Sequence, residues 1–198
     1  MFTKPWREPG LEALADQVAE MGFDGVELAV RPGYQVEPET ALKGLSEAVR
    51  IFRDRGLVID SVATEMSGRM VAACGAAGVP ILRTMLPVDT GIGYVESVRR
   101  FQKEALALIH EMEATGVRIG VQNHCDNFVG TASGLMAALD PLPESFVAVV
   151  DLGHTALCGE PISQALEIAE SRLAMVNLKN AVRIEGPVNN RGELTWNR

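Results

Sequence analysis

Short apolar runs alternate with amphipathic stretches along most of this 198-residue chain. The runs are rich in valine, isoleucine and leucine, and the clearest of them, FVAVV, is continuous and has no polar residue at alternate positions. Continuous apolar strands are typical of a parallel sheet buried on both faces, and repeated strand–helix units build such sheets. The alternation therefore predicts an α/β fold with a parallel sheet.

The periodicity places the individual elements. The predicted helices cover residues 11–21, 38–55, 69–77, 94–115, 131–139 and 161–171. The predicted strands cover residues 25–30, 57–64, 81–86, 117–122, 146–151 and 173–179. Most of the helices end near a glycine, which readily adopts the left-handed conformation that follows a helix. No GxGxxG or GxxxxGK[ST] loop is present, which argues against a nucleotide cofactor.

Repeated strand–helix units build either an open doubly wound sheet or a closed (β/α)8 barrel. Polar residues follow several of the strands, and a barrel gathers such strand ends around one mouth. We therefore predict a (β/α)8 TIM barrel in which residues 1–198 form a single domain. A barrel has about 31 residues per unit, so this chain supplies only about 6.4 units. We expect an incomplete barrel, in which residues 1–6 end a partial first strand and the eighth strand is absent.

Composition excludes several classes of partner. The net charge is −8 and the isoelectric point is about 4.9, whereas a nucleic-acid-binding surface needs clustered basic residues. No apolar run reaches the roughly 18–20 residues of a membrane span, and the N-terminus lacks the apolar core of a signal peptide. The cysteines Cys74, Cys125 and Cys158 are too few and too scattered for a disulfide framework. We expect a cytoplasmic protein with reduced thiols that binds neither nucleic acid nor membranes.

The motif DLGH, Asp151 to His154, follows the strand FVAVV. A carboxylate at a strand end, with an imidazole three residues later, suits a divalent metal and a substrate hydroxyl. The alternative is that Asp151 caps the following turn while His154 packs beneath a loop. The sequence leaves both interpretations open.

Polar residues end three successive strands at the same spacing. Asp151 lies 29 residues after Gln122, and Asn177 lies 26 residues after Asp151, so each separation is about one barrel unit. We therefore predict that these three side chains lie at one level of the sheet. Lys179 follows Asn177 and could bind a substrate anion or stabilise an enediolate, but it could equally form a surface salt bridge.

Further residues are candidates for substrate contacts or for a zinc site. Glu27 and Glu65 end earlier strands and could contact substrate, although Glu27 could instead form a buried salt bridge with Arg31 or Arg83. Trp6 and Trp196 could stack on a sugar or could pack a lid. A zinc site is a further interpretation, built from residues near the same strand ends: His124, Cys125, Asp151, His154 and Cys158.

Four stretches carry a resemblance by their order and spacing: GFDGVELAVRPG, QNH, DLGH and VNLKN. Together they resemble the xylose isomerase-like TIM-barrel superfamily of sugar-phosphate isomerases and epimerases. The resemblance covers nearly the whole chain. It implies a sugar or small hydroxy-ketone substrate, a homodimer or homotetramer, and a divalent metal such as Mn²⁺, Mg²⁺, Co²⁺ or Zn²⁺. In that superfamily a Glu, an Asp, a His and a second Glu on strands five to eight hold the metal, and the two Glu exchange protons with the substrate.

The resemblance transfers only in part. Asp151 matches the sixth-strand ligand and His154 matches the substrate-facing His beside it, whereas Gln122 and Asn177 stand where a Glu and a His are expected. Amides are neutral, so the site loses a charge and a general base, which counts against a metal. The resulting site prediction groups the residues by role: Gln122, His154 and Lys179 as catalytic; Glu27, Glu65, Asn123, His124 and Trp6 as substrate-binding; Asp151, Gln122 and Asn177 as metal ligands.

Two functions follow from these residues and the resemblance. The first is a sugar isomerase or epimerase that moves a proton between adjacent carbons with metal assistance at a divergent site. The second is a non-catalytic or metal-independent barrel that binds a sugar or polyol through amides. The three histidines and the acidic net charge argue against a multi-zinc nuclease of the same fold, which needs many His ligands and a basic DNA-binding face.

Overall fold

The structure, a computed structural model, describes residues 1–182, 184–188 and 194–197. The strands within these residues are β1 (Gly25–Ala29), β2 (Val58–Ala63), β3 (Ile81–Met85), β4 (Arg118–Gln122), β5 (Phe146–Asp151), β6 (Leu173–Asn177), β7 (Ile184–Val188) and β8 (Leu194–Asn197). The α-helices are α1 (Leu11–Glu20), α2 (Ala41–Arg53), α3 (Gly68–Ala77), α4 (Tyr94–Leu106), α5 (Ile109–Thr115), α6 (Ala132–Leu139), α7 (Leu152–Cys158) and α8 (Ile162–Ala169).

Strands β1 to β6 form one sheet in chain order, and β1–β2, β2–β3 and β5–β6 are parallel pairs. A short segment before β1 extends this pattern. The Glu27 N–H donates to the Met1 carbonyl at 2.8 Å, the Thr3 N–H donates to the Glu27 carbonyl at 3.0 Å, and Phe2 forms a parallel bridge with Glu27. The prediction of a partial first strand is therefore confirmed, and β1 corresponds to the second strand of a (β/α)8 barrel.

The chain packs as two units, and the first comprises Met1–Thr84 and Gln102–Gly120. Its helix α2 buries Leu45, Ile51 and Phe52, which recur at helical spacing on one face, while basic residues end the helix. In the same unit the whole of β1 is buried, as expected for a parallel strand.

The second unit comprises Met85–Phe101 and Val121–Arg198. Its strand β5 is buried at all six positions and has the predicted bounds, so the continuous apolar run is confirmed as an interior strand. Helices α6 and α8 pack against each other and against β5. These elements hold the ends of β4, β5 and β6, where the candidate chemistry lies.

Three details of the predicted elements were wrong. Residues 94–115 form two helices rather than one, because the Leu108 N–H donates to Ala105 three residues back and the α-helical ladder is interrupted. No glycine or proline marks this break. Residues 152–158 form the helix α7, which was not predicted. The polar C-terminal segment contains an antiparallel pair, β7 and β8, where no regular structure was expected.

Within the described residues, none of the helices combines the length and the apolar character needed to cross a bilayer. The prediction of a single domain over residues 1–198 remains a prediction.

Candidate functional site

A cavity of about 530 Å³ opens in the second unit, beside the segments that follow β4, β5 and β6. Its wall includes six residues with polar or ionisable side chains: His124, Cys125, Asp126, His154, Lys179 and Asn180. Apolar contributions come from Leu157, Ala181 and Val182. A concave site with a few convergent polar groups is the usual form of a small-molecule site.

The three strand-end residues lie at one level, as their spacing predicts. Asp151 and Asn177 are direct partners in the β5–β6 register. The Gln122 side-chain amide donates from Nε2 to Asp151 Oδ2 at 2.9 Å. The other carboxylate oxygen, Oδ1, accepts the His154 backbone N–H at 3.0 Å and so caps helix α7. The alternative interpretation, that Asp151 caps the following turn, is therefore confirmed.

Asn123 holds the ends of β4 and β5 together from a fully buried position. Its Oδ1 accepts the Asp151 backbone N–H at 2.7 Å, while its Nδ2 donates to the Gly130 carbonyl and to Thr155 Oγ1, both at 3.1 Å. Both ends of the amide thus have protein partners. A substrate contact for Asn123 remains a prediction, and its geometry indicates that it fixes the strand ends.

His154 is buried at the cavity wall and contacts two functional side chains. Its Nε2 lies 3.0 Å from Lys179 Nζ, and its Nδ1 lies 3.0 Å from Cys125 Sγ. Burial, together with the neighbouring His124 and Lys179, lowers the pKa of His154 to about 4, against the opposing effect of the Asp151 carboxylate. The imidazole is therefore neutral at pH 7. A lysine ammonium can only donate, so we assign the acceptor lone pair to Nε2 and the proton to Nδ1.

Gly153 lets Lys179 approach His154. A Cβ atom at position 153 would lie 2.8 Å from Lys179 Cγ and 3.0 Å from the Lys179 carbonyl oxygen. A separation of 3.0 Å from a backbone atom is tighter than most Cβ contacts, so a side chain at position 153 would force Lys179 to shift. The glycine of DLGH thus permits the close contact between the segment after β6 and the start of α7.

His124 stacks on His154, with ring centroids 3.8 Å apart and the planes tilted by 39°. Its Nδ1 lies 2.7 Å from the Cys125 carbonyl, which can only accept, so Nδ1 carries a proton. His124, Cys125 and His154 each offer a ligand atom, and these atoms all lie within 4.8 Å of one another. Among the described residues, the grouping omits Asp151 and Cys158, which the sequence had suggested as additional zinc ligands.

Glu27, Glu65 and Trp6 belong to the first unit. Glu27 is buried and forms a two-point ion pair with Arg83, which confirms the salt-bridge alternative with Arg83 as the partner. Glu65 is exposed, and half-buried Trp6 accepts a hydrogen bond from Gln35 at its carbonyl. Substrate contacts for these residues remain predictions. The Trp196 side chain lies outside the described residues.

The superfamily resemblance implies a divalent metal at the level of Gln122, Asp151 and Asn177, but the residues do not fit one. Asp151 is the only charged member of the three, and both of its oxygens already accept hydrogen bonds. Gln122 presents its N–H₂ group to Asp151, whereas a metal would need its oxygen. Hard divalent ions are bound by several oxygen ligands, commonly including carboxylates, and of these three residues only Asp151 supplies a carboxylate, which already accepts two hydrogen bonds.

The family assignment follows from comparison with known proteins. The sequence model of the family described as xylose isomerase-like TIM barrel matches residues 15–195. The chain belongs to this family. The predicted TIM-barrel fold is thereby confirmed, with six parallel strands and their helices representing an incomplete barrel. A search of curated proteins gave no match.

Solved structures agree on the fold. The chain is similar to the 3-keto-D-glucoside 4-epimerase YcjR from E. coli, with a TM-score of 0.73 and 12% identity over 89% of this chain and 76% of that one. D-psicose 3-epimerase from Clostridium cellulolyticum H10, solved with D-tagatose, gives a TM-score of 0.76 and 16% identity, over 89% of this chain and 71% of that one. The probable 3-DHS dehydratase AsbF from Bacillus anthracis gives a TM-score of 0.68 and 12% identity, over 89% of this chain and 70% of that one.

The zinc interpretation placed Cys125 and His154 near the same strand ends, but sequence reasoning missed the direct contacts of His154 with Cys125 and with Lys179. Both depend on the paths of loops beyond the strands. Asp126, directly after Cys125, has a φ of 72°, which is uncommon for a residue with a side chain. The one available signal was that QNHCD places a thiol beside a histidine at a strand end.

Proposed function

We propose that this chain binds a sugar or small hydroxy-ketone in the cavity beside His154 and moves a proton between its neighbouring carbons, as an isomerase or epimerase does. The observation that carries the proposal is the 3.0 Å contact between His154 Nε2 and Lys179 Nζ at the cavity wall. The similarity in fold to proteins described as a 4-epimerase and a 3-epimerase supports the same reaction class.

The two side chains divide the chemistry. Removing a proton from the carbon beside a carbonyl breaks the C–H bond and leaves its electron pair in an enediolate, whose oxygen becomes negative. The Lys179 ammonium is placed to stabilise this oxygen, and His154 Nε2 is placed to accept the proton. Returning the proton to the neighbouring carbon, while the hydroxyl proton of the intermediate passes to the other oxygen, gives an isomer. Delivery of a proton from water to the opposite face of the original carbon gives an epimer, and the proton held by His154 then passes to solvent.

Substrate binding would also make His154 a better base. In the structure the Lys179 ammonium contacts Nε2, and this neighbouring positive charge lowers the pKa of His154. When Lys179 turns to a substrate oxygen, Nε2 is released and one of the charges that disfavour its protonation moves away. The negative charge that develops on the enediolate favours protonation of His154 further.

The reaction is proposed without the metal that the resemblance implies, because the level of Gln122, Asp151 and Asn177 does not fit one. Gln122 and Asn177 are instead available to orient hydroxyl groups or to hold the strand ends.

We further propose a cytoplasmic homodimer or homotetramer, and analytical ultracentrifugation would measure the oligomeric state directly.

A second candidate is a barrel that binds a sugar or polyol without converting it. The observation that favours it is the pair of amides, Gln122 and Asn177, at positions where the resemblance implies a base and a metal ligand. Neutral amides bind hydroxyl groups well but exchange no protons with carbon.

One experiment separates the two candidates. The protein is incubated with a panel of ketoses and hydroxy-ketones in D₂O with a chelator, and deuterium at the carbons beside the carbonyl is followed by NMR. Isomerase chemistry predicts exchange that falls by about 100-fold or more in Lys179→Met and His154→Gln. The matched controls, Lys43→Met and His110→Gln, change exposed residues and should retain the parent rate.

The binding of each sugar is measured in parallel by saturation-transfer NMR. Binding without deuterium exchange would support the second candidate and contradict the first. Neither binding nor exchange across the panel would contradict both.

A further inference from the structure

We propose that His124, Cys125 and His154 form a binding site for a thiophilic transition-metal ion, with Zn²⁺ as its principal occupant, at the cavity wall. One sulfur and two imidazole nitrogens lie there within 4.8 Å of one another. This site is separate from the metal position that the superfamily resemblance implies, and it does not depend on the proposed isomerase chemistry.

The separations are close to those of a zinc site. Ordinary Zn–N and Zn–S bonds at a tetrahedral angle place the nitrogen and the sulfur about 3.5 Å apart. His154 Nδ1 and Cys125 Sγ are 3.0 Å apart, at hydrogen-bonding distance. Metal binding would release the Cys125 thiol proton to solvent and move the His154 ring proton from Nδ1 to Nε2, from which Lys179 would turn away. It would also open the Nδ1–Sγ separation by about 0.5 Å.

The orientation of His124 is already that of a metal ligand. Its Nδ1 donates to the Cys125 carbonyl at 2.7 Å, which leaves Nε2 with the lone pair. Metal-bound histidines commonly donate their other ring N–H to a backbone carbonyl in this way, because that bond fixes the tautomer and the ring. The packing of the His124 ring against Phe128 and His154 restrains it further.

The donor set selects the metal. A thiolate with two imidazoles suits Zn²⁺ and Cu⁺, whereas Mg²⁺ and Ca²⁺ prefer oxygen ligands. Three protein ligands at a cavity leave a fourth position for water or a ligand, which is the arrangement of catalytic zinc sites. Nearby charges act in both directions: Asp126 Oδ2 lies 3.5 Å from Cys125 Sγ and favours a cation, whereas the Lys179 ammonium opposes one.

Cobalt provides a direct probe, because a thiolate bound to Co²⁺ gives a charge-transfer band in the near ultraviolet. Metal-stripped protein is titrated with Co²⁺ and then with Zn²⁺. The proposal predicts a band that Zn²⁺ abolishes, that is absent in Cys125→Ser, and that needs at least about 10-fold more Co²⁺ in His124→Gln. The controls Cys158→Ser, His110→Gln and Asp151→Asn should keep the band.

The Asp151→Asn control distinguishes this site from the implied one, and asparagine can still cap α7. Loss of the band in Cys158→Ser with retention in Cys125→Ser would overturn the proposal. So would loss of metal binding in Asp151→Asn with retention in Cys125→Ser, or no binding of Co²⁺ or Zn²⁺ by the parent.

X-ray absorption at the zinc edge tests the parent without any substitution, which covers the case in which a variant fails to fold. One sulfur and two nitrogen neighbours would support the proposal. An all-oxygen shell would overturn it. The deuterium-exchange assay is run with a chelator, so failure of the metal site and failure of the proposed reaction give different results.

Discussion

The buried ion pair between Glu27 and Arg83 yields the sharpest stability prediction. Arg83 donates from Nε to Glu27 Oε1 at 2.8 Å and from Nη2 to Oε2 at 2.7 Å, and Ser61 Oγ donates to Oε1 at 3.3 Å. The Arg83 and Glu27 side chains are only 4% and 6% exposed. Glu27→Gln keeps the shape of the side chain but leaves the guanidinium buried without a counter-charge.

The magnitude follows from this burial. Removing one partner of a buried pair costs about 3–5 kcal/mol, and we expect about 3 kcal/mol here because glutamine can still accept one hydrogen bond. For a chain of this size, 1 kcal/mol corresponds to about 2–4 °C in melting temperature, so Tm should fall by about 6–12 °C. The double change Glu27→Leu with Arg83→Met leaves no buried charge and should cost less than either single loss.

The assay is urea unfolding of Glu27→Gln and, as a thermodynamic cycle, of Glu27→Leu, Arg83→Met and the double variant that combines them. Asp54→Asn is the matched control, because its pair with Arg50 is 52–57% exposed and should be worth less than about 0.5 kcal/mol. A Glu27→Gln protein within 1 kcal/mol of the parent would refute the structural role. If that stable variant had also lost sugar binding, Glu27 would be a substrate residue instead.

Three further predictions concern protonation and packing. The pKa of His154 is about 6.5 in the unfolded chain but about 4 in the folded protein. His154 should therefore contribute about 3 kcal/mol of stability above pH 6.5, and this contribution is lost as the pH falls to about 4. His154→Gln should flatten that part of the plot of stability against pH, and an unchanged plot would contradict the lowered pKa. Gly75→Ala should cost about 1–3 kcal/mol because its Cβ would lie 2.5 Å from Thr115 Cβ, whereas Gly10→Ala meets nothing within 4 Å and should be neutral in the same thermal melts. Burial raises the pKa of the Cys74 thiol to about 12. Mass spectrometry should therefore find Cys74 unalkylated by iodoacetamide at pH 8 until urea unfolds the protein. Rapid labelling of the native protein would contradict the burial of Cys74.

The strands were predictable because burial on both faces leaves a simple record in the sequence. The apolar run of β5 predicted both of its bounds, and the spacing of polar residues predicted that Gln122, Asp151 and Asn177 share a level. Consecutive parallel strands end at the same edge of a sheet, so equal spacing is enough to place their terminal side chains together.

The errors fall where tertiary contacts rather than local patterns decide the structure. No glycine or proline lies at the break between α4 and α5, so the local sequence does not indicate it. Helix α7 begins because Asp151 turns its carboxylate to the His154 backbone, a choice that the motif DLGH left open. The approach of Lys179 to His154 depends on Gly153 and on a loop path, and neither has a periodic signal.

Gln122 hydrogen-bonds to Asp151 at the level where the superfamily resemblance implies a second carboxylate, and we infer that this chain therefore does not hold a divalent metal at that level. Electron paramagnetic resonance of free Mn²⁺ measures this without any knowledge of the substrate. We predict weak binding by the parent, in the millimolar range or weaker, and at least 10-fold tighter binding by Gln122→Glu with Asn177→His, because that variant restores a charge and an imidazole. Tight Mn²⁺ binding by the parent that is lost in Asp151→Asn would contradict the claim.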